Sequence, residues 1–224
     1  MDIQQKKRVA EQPQQDPVID TVVKVKNFMT KNGTAVIICC AAALVIVGGG
    51  LIYGNMKASS TKKAQEIFGI GVMDYADEQF DRALASFSDV ANNFKHTPLA
   101  AMSAFMAGSI YLQQNNSDQA VTWFEAAVNG RGESGFVKAQ AYEGLSAAYE
   151  EKGDVAGAVR YLEKVLKDRN AGHRHAAVRF RLALLNKNNP SAASALCKEL
   201  IADSSAVAYH QKAENLLAAI GTAN

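Results

Sequence analysis

This chain has too few cysteines for a disulfide framework and too even a charge for nucleic acid. Of its three cysteines among 224 residues, Cys39 and Cys40 fall inside one apolar run and Cys197 stands by itself. That leaves neither a set of bridges nor metal-ligand spacing. The net charge is +2, and from residue 55 onward Lys/Arg and Asp/Glu number 18 each. A nucleic-acid binder needs a basic face, so that class is excluded. Catalytic motifs are missing as well. No Ser or Cys sits in a nucleophile motif. The glycine-rich segment 129–135, NGRGESG, lacks the lysine and preceding strand of a phosphate loop. His173 and His175 stand two apart, which on a helix sends them to different faces, so they are no ligand pair. His96 and His210 have no partners nearby in the sequence, and Asp77-Glu78 and Glu150-Glu151 read as solvated turn ends. The expectation is a non-enzymatic protein without cofactor or metal.

What the chain does have is one long apolar run. Thr34 to Gly54, TAVIICCAAALVIVGGGLIYG, is 21 residues without a charge. As a helix it would extend about 31 Å, the hydrocarbon thickness of a bilayer, with every backbone group paired internally. It is too long and too far from the N-terminus for a signal peptide. The sequence therefore predicts a single retained transmembrane helix over 34–54. Gly50 and Gly54 within it form a GxxxG pair suited to packing on another helix, a copy of the same chain included.

Before the run, residues 1–17 are polar and glutamine-rich, a tail that cannot bury enough surface to fold. Residues 18–33 carry Val18, Val22, Val25 and Met29 at helical spacing with Lys24, Lys26 and Lys31 among them. That reads as a juxtamembrane amphipathic helix, ended by an Asn32-Gly33 turn. Six Lys/Arg precede the run, while Lys57, Lys62 and Lys63 follow it closely. The positive-inside rule then places the N-terminus in the cytoplasm and the large domain, 55–224, outside it.

That domain repeats itself. A small residue is followed four later by a bulkier one at Ala83/Phe87, Ala120/Phe124, Ala158/Leu162 and Ala193/Cys197. Nine before the alanines stand Asp74, Tyr111, Tyr149 and Leu184, and three earlier again Gly71, Gly108, Ser146 and Arg181. Three after the bulky residues come Val90, Ala127, Val165 and Leu200. This is similar to the tetratricopeptide (TPR) pattern, G-x2-Y then A-x3-F, in which each unit is two antiparallel helices. Anchor spacings of 37, 38 and 35 residues exceed the usual ~34, which points to longer loops such as NGRGESG. Gly153-Asp154 reads as a turn and N-cap, and Thr97-Pro98 and Asn189-Pro190 as N-cap plus proline at the first helical position. Residues 205–220, with Val207, Ala213, Leu216, Leu217 and Ile220 along one side, read as a capping helix. The predicted fold is all-α: one N-terminal transmembrane helix, then a TPR-like solenoid of about four helix pairs plus the cap.

With Lys26-Asn27-Phe28, Asn32-Gly33, the span, and the segment from Leu99 to Val128, this layout resembles the ancillary SecYEG-translocon subunit family. Those are inner-membrane proteins with periplasmic TPR repeats. The resemblance implies a bacterial inner-membrane location with the repeats in the periplasm. It also implies protein partners: translocon subunits, periplasmic chaperones or exported clients. TPR arrays bind along the first helix of each unit. Counting from each helix start places Phe68, Val72, Tyr75, Met102, Phe105, Ser109 and Leu112 on that face. Gln140, Glu143, Glu150, His175, Val178 and Leu182 continue it. The groove is thus expected to begin apolar and turn polar, and the Lys and Arg that clamp a carboxylate in other TPR domains are missing from these positions. The reading is a membrane-anchored, chaperone-like binding module in protein transport. The alternative is a structural scaffold, or a homo-oligomeric component, holding one permanent partner in an envelope complex.

Overall fold

The computed structural model describes residues 17–31, 33–130 and 135–221. The chain divides into two compact units, Met1–Lys57 and Ala58–Asn224. In the first, α1 spans Pro17–Lys31, beginning on a proline whose missing N–H and fixed φ suit the first helical turn. Its apolar stripe, Val22, Val25 and Phe28, is exposed. Helix α2 spans Gly33–Ala76, and the division between the units falls within it. Leu44, Val45, Ile46 and Val47 are exposed along α2. The side chains of 34–40 and 51–53, inside the expected span, lie outside those described, as do Asn32 and the tail 1–16. Over the described residues alone, no helix is long and apolar enough to cross a membrane.

The second unit holds the end of α2, then α3 (Phe80–Asn93), α4 (Leu99–Gln113), α5 (Ser117–Asn129), α6 (Gly135–Glu151) and α7 (Val155–Lys167). A short 3-10 turn (Arg169–Arg174) leads to α8 (His175–Leu185), α9 (Pro190–Ala202) and α10 (Val207–Gly221). From α3 onward each helix packs on the next, α4 also touches α6, and α8 also touches α10. No strand occurs among the described residues. The architecture is an all-helical, TPR-like solenoid.

The repeat register explains the core. Ala83, Ala120, Ala158 and Ala193 are fully buried, as are Val90, Ala127, Val165 and Leu200, while Phe87, Phe124, Leu162 and Cys197 are at most 1% exposed. In the first two pairs the glycine of the leading helix makes room for the phenylalanine of the following one. A Cβ on Gly71 would lie 2.9 Å from the Phe87 ring, and one on Gly108 2.8 Å from the Phe124 ring. Down the array the leading residue grows from Gly71 and Gly108 to Ser146 and Arg181. The following one shrinks in step, from Phe87 and Phe124 to Leu162 and Cys197. Close packing favours such reciprocity over the first three layers; in the fourth, the Arg181 side chain is 35% exposed and pairs with Glu150 of α6.

Of the three turns read from the sequence, two form as expected and one does not. Gly153 takes φ +76°, and Asp154 accepts from the Gly157 N–H at 2.8 Å. Asn189 accepts from the Ala192 N–H ahead of Pro190, which opens α9. Thr97 does not cap α4: its buried hydroxyl donates backward to the Phe94 carbonyl at 2.8 Å. Pro98 takes the cap position instead, with no side-chain bond. In α10, Ala213 and Ile220 are buried and Leu216 and Leu217 pack on the last cluster, but Val207 at the helix start is 67% exposed. Of the loop NGRGESG, residues 131–134 lie outside those described.

Candidate functional site

The leading helices of the first two repeats carry most of the expected groove. Val72 is 41% exposed on α2. Phe68 and Tyr75 beside it are half-buried, their rings 5.5 Å from Phe87 and 5.8 Å from Phe80. On α4, Met102, Phe105, Ser109 and Leu112 are all half-buried. Phe105 leans on Phe124 at 5.8 Å, and Ser109 Oγ donates to the Phe105 carbonyl at 2.9 Å. These side chains are therefore wedges with one side on the core and one side open. Gly50 and Gly54 are exposed, and a Cβ at either would meet nothing.

In the third and fourth repeats the face changes character. Gln140 is half-buried. Arg174 Nε and Nη2 donate to the two oxygens of Glu143 at 2.8 and 2.7 Å, a bidentate pair. Glu143's hydrogen bond holds the Arg174 guanidinium above its ordinary pKa, against a burial effect of opposite sign. Seven residues on, Arg181 also pairs with a carboxylate of α6, but both its nitrogens meet one oxygen: Nε lies 2.9 Å and Nη2 2.6 Å from Glu150 Oε1. Glu150 is thus an ion-pair partner rather than a solvated end. The arginines absent from the expected groove are present, but each is neutralised by a carboxylate of the preceding repeat. Val178 and Leu182 are not groove residues: at 1% and 4% exposed they pack with Leu162 and Val165 of α7.

The histidines act as braces. His175 Nε2 lies 3.2 Å from the Val165 carbonyl and 3.1 Å from that of Asp168, so it must carry the proton and donate to the open end of α7. His210 does the same for α9, 2.9 Å from the Asp203 carbonyl. The sequence held the signal: Asp168-x2-Ala171-x3-His175 recurs as Asp203-x2-Ala206-x3-His210, with both alanines buried. His173, exposed, stacks on Phe136 at 5.9 Å. Among the described residues, no group of three or more His, Cys, Asp or Glu is placed to hold a metal. Burial raises the Cys197 thiol pKa, which keeps it protonated and unreactive.

The profile of the tetratricopeptide repeat-like domain matches residues 26–139, half of the chain. The chain belongs to the tetratricopeptide repeat-like family. A second profile, that of the tetratricopeptide repeat itself, matches residues 139–173, which is most of α6, all of α7 and most of the 3-10 turn. No curated protein matches the chain. Tetratricopeptide repeats are protein-interaction modules, typically without catalysis of their own, and their leading helices line the surface that receives partners. In this tetratricopeptide protein that surface is apolar and aromatic in repeats one and two, and closed by paired charges in repeats three and four.

Proposed function

We propose that the chain is a membrane-anchored tetratricopeptide binding module whose first two repeats receive apolar segments of exported or membrane proteins beside a secretion channel. The observation that carries this reading is the row formed by Val72, Met102, Phe105 and Leu112, partly open apolar side chains on the leading helices of an interaction fold. Such anchors supply most of the energy at protein interfaces. The uncharged run 34–54 and the six basic residues before it support an inner-membrane anchor with the N-terminus in the cytoplasm and the repeats in the periplasm. A photo-crosslinking residue at Val72 should capture translocon subunits or exported clients, whereas one at Lys198, exposed on α9, should capture none. Protease added to spheroplasts should digest the repeats. Capture at Lys198 alone, or protection until the inner membrane is lysed, would overturn the reading.

A scaffold reading has its own support. Ile70 and Met73 are 51% and 69% exposed on α2, and the face around Gly50 and Gly54 is open to a second helix. In that case mild-detergent purification should return one stoichiometric partner, or a second copy of the chain, in place of diverse clients.

A further inference from the structure

Two hollows open along the edge of the array where α4 and α6 begin and α5 and α7 end. The first, of 390 Å³, lies among Ala91, Ala101, Ala104, Trp123 and Ala126, with Lys95 at its rim. The second, of 590 Å³, lies among Lys138, Tyr142, Lys164 and Lys167, with Asp168 and Asn170 beside them. They occupy the same place in successive repeats. The 38-residue step from Ala120 to Ala158 also carries Ala104 onto Tyr142, Ala126 onto Lys164 and Asn129 onto Lys167. One position in the fold is thus apolar in the second repeat and cationic in the third.

The charge is one-sided. Among the described residues, Lys95, Lys164 and Lys167 line the pair of hollows with one carboxylate, Asp168, whose Oδ1 already accepts from the Asn170 N–H at 2.9 Å. Lys164 is held in place by two rings, its Nζ 4.6 Å from the centre of Tyr161 and 5.3 Å from that of Tyr142. A cation fixed in this way loses little freedom when it meets an anion. Because α4 packs on α6, the hollows stand about 10 Å apart, which is roughly three residues of extended chain.

We propose that this edge is a second docking surface, separate from the groove, which takes an extended acidic segment of a partner protein. An apolar side chain enters beside Trp123, and carboxylates a few residues along lie over Lys164 and Lys167. A bilayer surface would present anionic headgroups to the lysines but nothing shaped to fill a side-chain-sized apolar hollow. An acidic peptide satisfies both halves at once.

Trp123 is the only tryptophan, so the site reports on itself. The full chain is titrated with peptides in which a leucine is separated from an Asp-Glu-Asp-Asp run by one to five residues, and Trp123 emission is followed. The expected result is a saturable emission change for spacings near three. It should be lost when the acids are replaced by Asn and Gln, and weakened at least about tenfold by Lys164→Glu with Lys167→Glu. Both lysines are exposed, so thermal melting checks that the variant is folded. A Lys/Arg version of the peptide should bind that variant better than it binds the unaltered chain. No emission change with any spacing, equal binding by the charge-reversed chain, or a response to phosphatidylglycerol vesicles in place of the peptides would overturn the proposal.

Discussion

Replacing Gly144 by alanine should destabilise the protein, although alanine is the better helix former. Phe124 rises from α5 with 1% of its surface exposed and stands between two glycines, Gly108 on α4 and Gly144 on α6. A Cβ on Gly144 would lie 2.5 Å from Cζ of the ring, 2.6 Å from Cε1 and 2.8 Å from Cε2. That is roughly 1 Å inside ordinary carbon–carbon contact. The ring has little room to retreat, because the place of a Cβ on Gly108 is itself only 2.8 Å from Cδ1. Alanine gains about 1 kcal/mol in helix propensity. Overpacking a filled core costs about 1–3 kcal/mol, and three such contacts on one blocked ring place this case at the upper end. The net expectation is a loss of about 1–2 kcal/mol. Gly69→Ala on α2 is the control: its Cβ would meet nothing, so the same exchange should be neutral or stabilising by up to about 1 kcal/mol. Equilibrium urea unfolding at constant m-value reads both. Adding Phe124→Leu to Gly144→Ala should cost less than the two changes summed, because the shorter side chain frees the space. A Gly144→Ala protein as stable as the parent would mean that the ring is not wedged there.

Glu143 and Arg174 should show a coupling of about 1 kcal/mol in a double-mutant cycle of Glu143→Gln and Arg174→Met, read by thermal melting. The value is discounted because the arginine side chain is 37% exposed. Phe105→Ala should lower both stability and partner capture, since the ring also supports Phe124, whereas Val72→Ser should lower capture alone, with stability within about 0.5 kcal/mol. Asp203 should weaken the C-terminal helices in acid. Hydrogen bonds from the Ser205 side chain and backbone hold its carboxyl below the ordinary 3.8, with Arg179 and His210 assisting. The folded state therefore binds its proton less readily than the unfolded state does. The stabilisation is complete above 3.8 and disappears as pH falls through the lower folded value, a dependence that Asp203→Asn should remove. Tyr161 is pushed up to about 12, first by burial and then by Tyr149 and Glu125. Its stabilisation should hold to about pH 10 and fade as pH rises toward 12, which absorbance at 295 nm can follow beside circular dichroism.

The repeat register was legible in the sequence because packing dictates it. Only a small residue tolerates the close approach at Gly71, Gly108 and Ser146, and only a filler four positions after each alanine completes the layer. The binding face was legible where the residues are apolar and ambiguous where side chains reach across repeats. Glu150 looked like a solvated end because its partner, Arg181, lies 31 residues away. Yet Glu143 and Glu150 are seven apart, and Arg174 and Arg181 are also seven apart, so the matched spacing was present to be read. Val178 and Leu182 fall at leading-helix positions equivalent to groove residues, but Leu162 and Val165 bury them. Thr97 followed by Pro98 has the form of a cap, and the burial of that threonine turned its hydroxyl to the preceding turn instead.

The two arginine bridges also divide the array mechanically. A forked pair from Arg174, just ahead of α8, and a second ion pair from Arg181 within it tie this segment to α6 at two points seven residues apart, so sliding or rocking must break them. The first two repeats meet through ring faces and aliphatic surfaces, where attraction is non-directional. Relative placement is therefore set by shape alone in the first half of the array, and by shape together with directional bonds in the second.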